Sequence, residues 1–566
     1  MNKLFVKIVL LILCLVLAIG CFGGCKPNHK DVVSSDPSST QNTADDPSDT
    51  DQTSSEPTDE PIAPEDDTWD DPQGTVEPDD SESEEENFSS AVVENAQLPI
   101  MDDYRGFGSI VYQMYTYMPY ANKKNEFTEK QAQEQFNRMQ EIGIDYIRSD
   151  YNTYMAYDAK TGGFDYENTD YIKAFYKEAL ELKKRNIEIA VTTGWSLHAL
   201  TDNSSSINSI HVYVEGDWQQ TLSNWNRWMV DSILAFRAHG CTNITGMLLF
   251  TEPGKVGWEE SYRLANYEAW VDCARTLDQS LKQLGIRKQY QFIGPNQSVY
   301  GDFGVATDDM LMLEYMLKNA DEYIDVYTSH DYVRSKSAVD DVYYDYCELL
   351  YRNSFLFTME QYGSDKPFWI DEWNVIESGF TQSHHDSPWL GTQLGVCATA
   401  FMEFGIQNSI LWTLYSQQWP NLTHSGGEFT EGIQMCGLAY SLNISTIPTT
   451  QYYGYTLLSK YLATTDTVYH VEYDRYLGVY YAYAENGAGD ITVIVVNAYP
   501  DTSKFSLEFE KSLGGVTLYR HLYDPTTCKP NSFVQVLPAD RAYRPVQDKL
   551  VDILPAGGLA VYTTVK

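Results

Sequence analysis

Two glutamates close apolar runs in this chain. Glu252 ends the run in Met247-Leu248-Leu249-Phe250-Thr251-Glu252-Pro253-Gly254, and Glu372 ends the run in Pro367-Phe368-Trp369-Ile370-Asp371-Glu372-Trp373-Asn374. Each run reads as a strand, and Pro253 stops the first from continuing. A lone glutamate at a strand end is ordinarily a solvated loop residue. Two such carboxyl groups, 120 positions apart in the chain, become a reagent only if the fold points both into one cavity. The chemistry of a pair so placed is glycosidic bond cleavage: one acid protonates the leaving oxygen and the other carboxylate attacks the anomeric carbon.

The flanking sequence predicts a scaffold that does this. Short apolar strands are expected at Gly106–Gln113, Ile144–Arg148, Ile187–Thr193, Gly246–Phe250, Gln289–Gly294, Ile324–Thr328, Pro367–Asp371 and Ser409–Thr413, with amphipathic stretches such as Glu129–Ile142, Asp170–Arg185 and Leu222–His239 between them. Eight strands alternating with helices define an α/β fold of the (β/α)₈, or TIM, barrel type over residues 104–452, whose reactive groups belong at the C-terminal strand ends. The competing doubly wound sheet would carry a Gly-rich phosphate loop after an early strand, and none is present. After about residue 453 the helical period gives way to short alternating strands separated by turns such as Asn486-Gly487-Ala488-Gly489. Residues 453–566 therefore read as an antiparallel β-sandwich, to which residues 95–104 could add a strand.

Glutamates on strands four and seven of such a barrel resemble the large clan of retaining glycoside hydrolases, clan A, which places its acid/base at the end of strand four and its nucleophile at the end of strand seven. The resemblance covers residues 104–566. It implies that Glu252 is the acid/base and Glu372 the nucleophile, that Arg148 at the end of strand two lies near the nucleophile, that His330 and Tyr332 in Ser329-His330-Asp331-Tyr332 belong to the pocket, with Tyr332 donating to Glu372, and that Trp412 floors the sugar subsite. The barrel followed by a sandwich is most similar to family 39, the β-xylosidases and iduronidases, with families 51, 30 and 5 beside it. One departure is Thr251, where the clan usually has an Asn that contacts the sugar 2-hydroxyl; Asn296, in Gly294-Pro295-Asn296-Gln297, is the expected compensation.

Further residues are expected to line the cleft: Trp195 and His198 after strand three; His384, His385 and Trp389 after strand seven; Tyr415, Gln418 and Trp419 after strand eight. Aromatic faces stack on sugar C–H surfaces and polar tips bond hydroxyls, although core packing would also account for the aromatics. The implied reaction is a double displacement on a poly- or oligosaccharide. It needs no cofactor and no metal, and places the carboxyl groups about 5–5.5 Å apart. A transglycosidase would use the same residues. A non-catalytic carbohydrate-binding surface protein is the reading that Thr251 favours.

Composition sets the remaining bounds. An apolar fraction of 43%, including 43 tyrosines, is ample for a large core. A net charge of −41 argues against nucleic acid, which needs Lys/Arg patches. Residues 31–97 hold 22 of the 80 acidic side chains and no Lys or Arg. With its Ser, Thr and Pro, the tract 22–95 is expected to be a disordered, extended linker. Lys3 and Lys7 form a basic start, and Phe5–Ile19 is an apolar run too short for a confident membrane span. Leu17-Ala18-Ile19-Gly20-Cys21 resembles a bacterial lipoprotein signal and implies lipidation of Cys21, with the protein on the extracellular face of the cell membrane. Ala18 departs from the usual Leu, Cys25 is a second candidate, and an ordinary cleaved signal peptide is the alternative. Cys241, Cys273, Cys347, Cys397, Cys436 and Cys528 are widely spaced and show no zinc-ligand pattern.

Overall fold

The computed structural model describes residues 87–111, 128–193, 211–253, 260–298, 307–334, 342–376, 387–414, 417–418, 433–434, 439–440, 447–462, 466–529 and 535–566. Every described residue lies in one compact unit, Asp80–Lys566. The export segment with Cys21, and the linker up to residue 86, lie outside the described residues.

Eight parallel strands close into a barrel in chain order: Phe107–Ile110, Tyr146–Asp150, Glu188–Thr192, Ile244–Leu248, Gln291–Ser298, Val326–Arg334, Phe368–Ile376 and Asn408–Leu411, the eighth pairing with the first. Every one of the eight expected strands is present, and they are numbered one to eight below. Each strand gives one side chain to the lumen: Ile110, Tyr146, Ala190, Leu248, Ile293, Val326, Trp369 and Ile410, with Trp412 above them. Large and small residues must alternate for such a layer to fill. Gly246 shows why: a Cβ there would lie 2.4 Å from the Tyr146 hydroxyl and 2.8 Å from Ala190 Cβ.

Helices ring the barrel where the 3.6-residue period places apolar stripes. Glu129–Glu141 buries Ala132, Phe136 and Met139, and starts at a Thr128–Gln131 capping box that satisfies two otherwise unpaired N–H groups. Thr169 caps Asp170–Lys183, and Asp217 caps Trp218–Ala238. Among the described cysteines, Cys241, Cys273, Cys347, Cys397 and Cys528 are free thiols.

The sandwich differs from expectation in two places. Its seven-stranded sheet includes Met101–Tyr104, as anticipated, but its four-stranded sheet also takes in Asn87–Val93, which the composition assigned to the linker. That segment pairs with Val471–Tyr473 on one side and Ser503–Phe509 on the other, burying Ser89, Ala91 and Val93. The second difference is helix Thr450–Tyr461, which runs across the expected boundary at residues 452 and 453. It is buried on nearly every side, so it lacks the polar stripe that marks a surface helix.

This helix and Trp389–Glu403 join barrel to sandwich. Gly454 meets Gly391, Gly391 packs under the Tyr523 ring, and Gly395 meets Val496 and Leu559. One continuous core runs through both domains. Among the described residues no helix is long and apolar enough to cross a membrane.

Candidate active site

The two catalytic candidates reach the mouth of the barrel by different backbone devices. Glu252, just past strand four, has φ of 48°, a left-handed conformation unusual for a residue with a Cβ. Its N–H donates to the carbonyl oxygen of Asn296 at 3.0 Å. Asn296 is itself left-handed, with φ of 61°, and follows a cis Gly294–Pro295 bond. Strand seven instead carries a bulge. Ser329 pairs with Ile370 and His330 with Glu372, so Asp371 is the extra residue. A bulge breaks strict alternation, and here it leaves the neighbouring side chains Asp371 and Glu372 both within reach of Arg148 and His330.

Arg148, inward-facing on strand two, organises the site. Its Nη1 donates to Glu372 Oε2 at 2.9 Å and lies 3.6 Å from Asp371 Oδ2. Its Nη2 donates to Thr251 Oγ1 at 2.9 Å. The Thr251 hydroxyl also shares a hydrogen bond with Thr192 Oγ1, 2.8 Å away. The Tyr332 hydroxyl donates to the other oxygen of Glu372, Oε1, as the resemblance implied. Tyr332 also meets the Trp412 ring edge-on, with centroids 5.5 Å apart. Both oxygens of Glu372 are thus held, which fixes the orientation of the carboxyl group.

His330 is fully buried at the centre. Its Nδ1 is 3.5 Å from Glu252 Oε1 and 3.5 Å from Glu372 Oε2, which caps the separation of those two oxygens at twice that distance. Its Nε2 is 3.0 Å from Arg148 Nη1 and 3.6 Å from Asp371 Oδ2. Burial pushes the imidazole down, but the charges of Glu372 and Asp371 outweigh it and raise the ring to about 9. The Arg148 contact pulls the other way, since it is a hydrogen bond only to a neutral ring. The charges of Glu372 and Asp371, with the hydrogen-bonding contact to Glu252, make the upward direction prevail. In either form Nδ1 carries a hydrogen toward Glu252 and Glu372.

Asn296 does not compensate for Thr251. It is fully buried, and its Nδ2 donates to Asp371 Oδ2 while its Oδ1 lies 3.4 Å from the Glu252 N–H. The amide holds protein groups and is not presented to a sugar. Trp389 is likewise not a cleft residue: its ring packs on Gly557 of the sandwich, where a Cβ would come within 2.3 Å of it. The helix that opens at Trp389 belongs to the domain junction, so the aromatic follows it there. Trp195, His198, His384, His385, Tyr415 and Trp419 lie outside the described residues, and Gln418 is described only as part of a two-residue strand. Among the described residues no cluster of three His, Cys, Asp or Glu side chains is arranged to hold a metal.

Two acidic residues were missed. Asp371 is two positions beyond Trp369 and shares its inward face, and the bulge turns Glu372 inward beside it. Asp150, at the end of strand two, is two positions beyond Arg148 and so shares its inward face. It is nearly buried, and burial with the charge of Glu372 overcomes Arg148 to raise it to about 6.

No family model matches the chain, and no curated protein sequence matches it. Solved structures do. The catalytic domain of a family 30 xylanase C from Talaromyces cellulolyticus superposes with a TM-score of 0.56 at 12% identity, over 84% of this chain and 99% of that one. A family 30 subfamily 8 xylanase from Clostridium acetobutylicum gives 0.54 at 12% identity over the same shares. A family 51 α-L-arabinofuranosidase from Bifidobacterium longum also gives 0.54 at 12%, again over 84% and 99%. These neighbours belong to families 30 and 51, named above beside family 39. At this identity the likeness establishes the fold: a TIM barrel with a β-sandwich, shared with glycoside hydrolase structures along nearly their whole length.

Proposed function

We propose that the protein is a retaining glycoside hydrolase acting on a poly- or oligosaccharide, with Glu372 as nucleophile and Glu252 as acid/base. The observation that carries this reading is the position of His330 Nδ1, 3.5 Å from an oxygen of each glutamate. A retaining pair needs carboxyl groups about 5–5.5 Å apart, and an inverting pair about 6.5–9.5 Å; the cap set by His330 favours the shorter range. In the first step Glu372 bonds to the anomeric carbon as the bond to the leaving oxygen breaks, and Glu252 gives that oxygen its proton. In the second, water attacks the same carbon, returns a proton to Glu252 and releases Glu372.

The names of the structural neighbours support this class and direct the first assays to xylan and arabinose-containing glycans; β-xylosidase activity of the family 39 kind belongs to the same panel. The non-catalytic alternative rested on Thr251, and that side chain has a place in the Arg148 arrangement. The decisive experiment is Glu372→Ala on an activated aryl glycoside. Turnover is expected to fall by orders of magnitude and to return with azide, giving a glycosyl azide of inverted configuration. Near-normal turnover in the variant would end the proposal. We also infer lipidation at Cys21, supported by the signal-like sequence; Cys21→Ser is expected to move the protein from the membrane to the soluble fraction.

A further inference from the structure

Asp371 is fully buried and carries no role in the double displacement, yet it faces every element of the site. Its Oδ2 accepts from Asn296 Nδ2, lies 3.6 Å from Arg148 Nη1 and lies 3.6 Å from His330 Nε2. Each of those three groups leads to a catalytic carboxylate. The carbonyl oxygen of Asn296 takes the Glu252 N–H at 3.0 Å, which fixes a backbone that would otherwise leave the left-handed region. Arg148 holds Glu372, and His330 Nδ1 faces both glutamates.

We propose that Asp371 is a positioning residue that ties the two catalytic carboxylates into one unit: through Asn296 it fixes the main chain of Glu252, and through its contacts with Arg148 and with Nε2 it keeps His330 oriented between Glu252 and Glu372. The bulge on strand seven turns Glu372 inward beside Asp371, so that both carboxyl groups reach Arg148 and His330. A buried charge persists only when paired and hydrogen-bonded, and Asp371 obtains its partners from strands two, five and six together. The charged or titratable groups facing His330 are Arg148 from strand two, Glu252 from strand four, and Asp371 and Glu372 from strand seven; Asn296 on strand five is uncharged.

The inference rests on the hydrolase reading for its catalytic consequence, but its first test needs no substrate. In protein labelled at histidine, the His330 resonance, identified by its loss in His330→Gln, is titrated in the wild type and in Asp371→Asn. The midpoint is expected to fall by about one pH unit or more in the variant, because one of the two carboxylates that lift it is gone. In parallel, kcat on an aryl glycoside is expected to fall about 10- to 100-fold with KM changed less than threefold, and the alkaline limb of the kcat profile should move down with the His330 midpoint. Asn296→Ala should lower kcat comparably while leaving the His330 midpoint in place, and the double variant should lose less than the product of the two single losses. An unmoved His330 midpoint in Asp371→Asn, or fully independent losses in the double variant, would overturn the proposal. Should Asp371→Asn fail to fold, Asn296→Ala carries the test, and an unchanged kcat there overturns it equally. If no glycoside is turned over by the wild type, the hydrolase reading fails, while the titration still decides the role of Asp371 at His330.

Discussion

Arg148 Nη2 donates to Thr251 Oγ1 at 2.9 Å, and Thr251 in turn bonds Thr192, so the residue that precedes Glu252 is tied to the arginine that holds Glu372. Replacing Thr251 with the near-isosteric Val would leave a buried guanidinium N–H and the Thr192 hydroxyl unmet, at a cost of about 1–3 kcal/mol. Most of that should appear in catalysis, because Arg148 loses one of its fixed directions. The expected outcome is a fall in kcat of about tenfold or more on an aryl glycoside, with thermal stability lowered by a few degrees; steady-state kinetics and a melting curve check both.

Asp150 gives a stability signature with a definite sign. Its carboxyl is raised from 3.8 to about 6 in the folded protein, so the native state binds this proton more tightly than the unfolded chain. The associated stability is complete below pH 3.8 and is lost as pH rises through about 6. Asp150→Asn removes that loss. The variant should therefore be more stable than wild type above pH 7, by up to about 3 kcal/mol, and the difference should shrink toward zero near pH 4. Chemical denaturation at a series of pH values measures it, and a difference that grew on acidification would contradict the burial argument.

Gly246 has no room for a side chain. Adding one methyl group forces it against the Tyr146 hydroxyl, Ala190 and Ile293 within the lumen. Gly246→Ala is expected to destabilise by about 1–3 kcal/mol through overpacking, read as a lowered midpoint in urea.

Trp389 offers the complementary result. Its ring rests on Gly557 at the junction with the sandwich, so Trp389→Ala should lower stability by about 1–3 kcal/mol, less than for a fully buried Trp. Its kcat and KM should stay within about twofold of wild type. A selective rise in KM would return this residue to the cleft.

How much of this was legible follows from what each segment buries. Parallel barrel strands are enclosed on both faces and read as unbroken apolar runs, which is why Ile244–Leu248 and Phe368–Ile376 were visible along with Glu252 after the first and Glu372 within the second. Asn87–Val93 turns only Ser89, Ala91 and Val93 inward, and so small an apolar signal is masked by the acidic residues before it. Asp371 and Glu372 are neighbours, and strict alternation admits only one of them to the lumen; the bulge that admits both is a one-residue change of register that composition does not record. Asn296 looked like a pocket residue from its place after strand five, yet its left-handed backbone after a cis proline turns it to Glu252 and Asp371. The resemblance supplied Arg148, His330, Tyr332 and Trp412; it did not indicate that Thr251 would become an acceptor for Arg148.

The strand at Asn87–Val93 is one of the first described segments of the chain, and it completes its sheet with partners at residues 471–473 and 503–509. The barrel is therefore an insert within the sandwich. A shortened protein beginning at residue 104 would lack both Asn87–Val93 and most of Met101–Tyr104, leaving a strand missing from each sheet of the sandwich although the barrel sequence is intact.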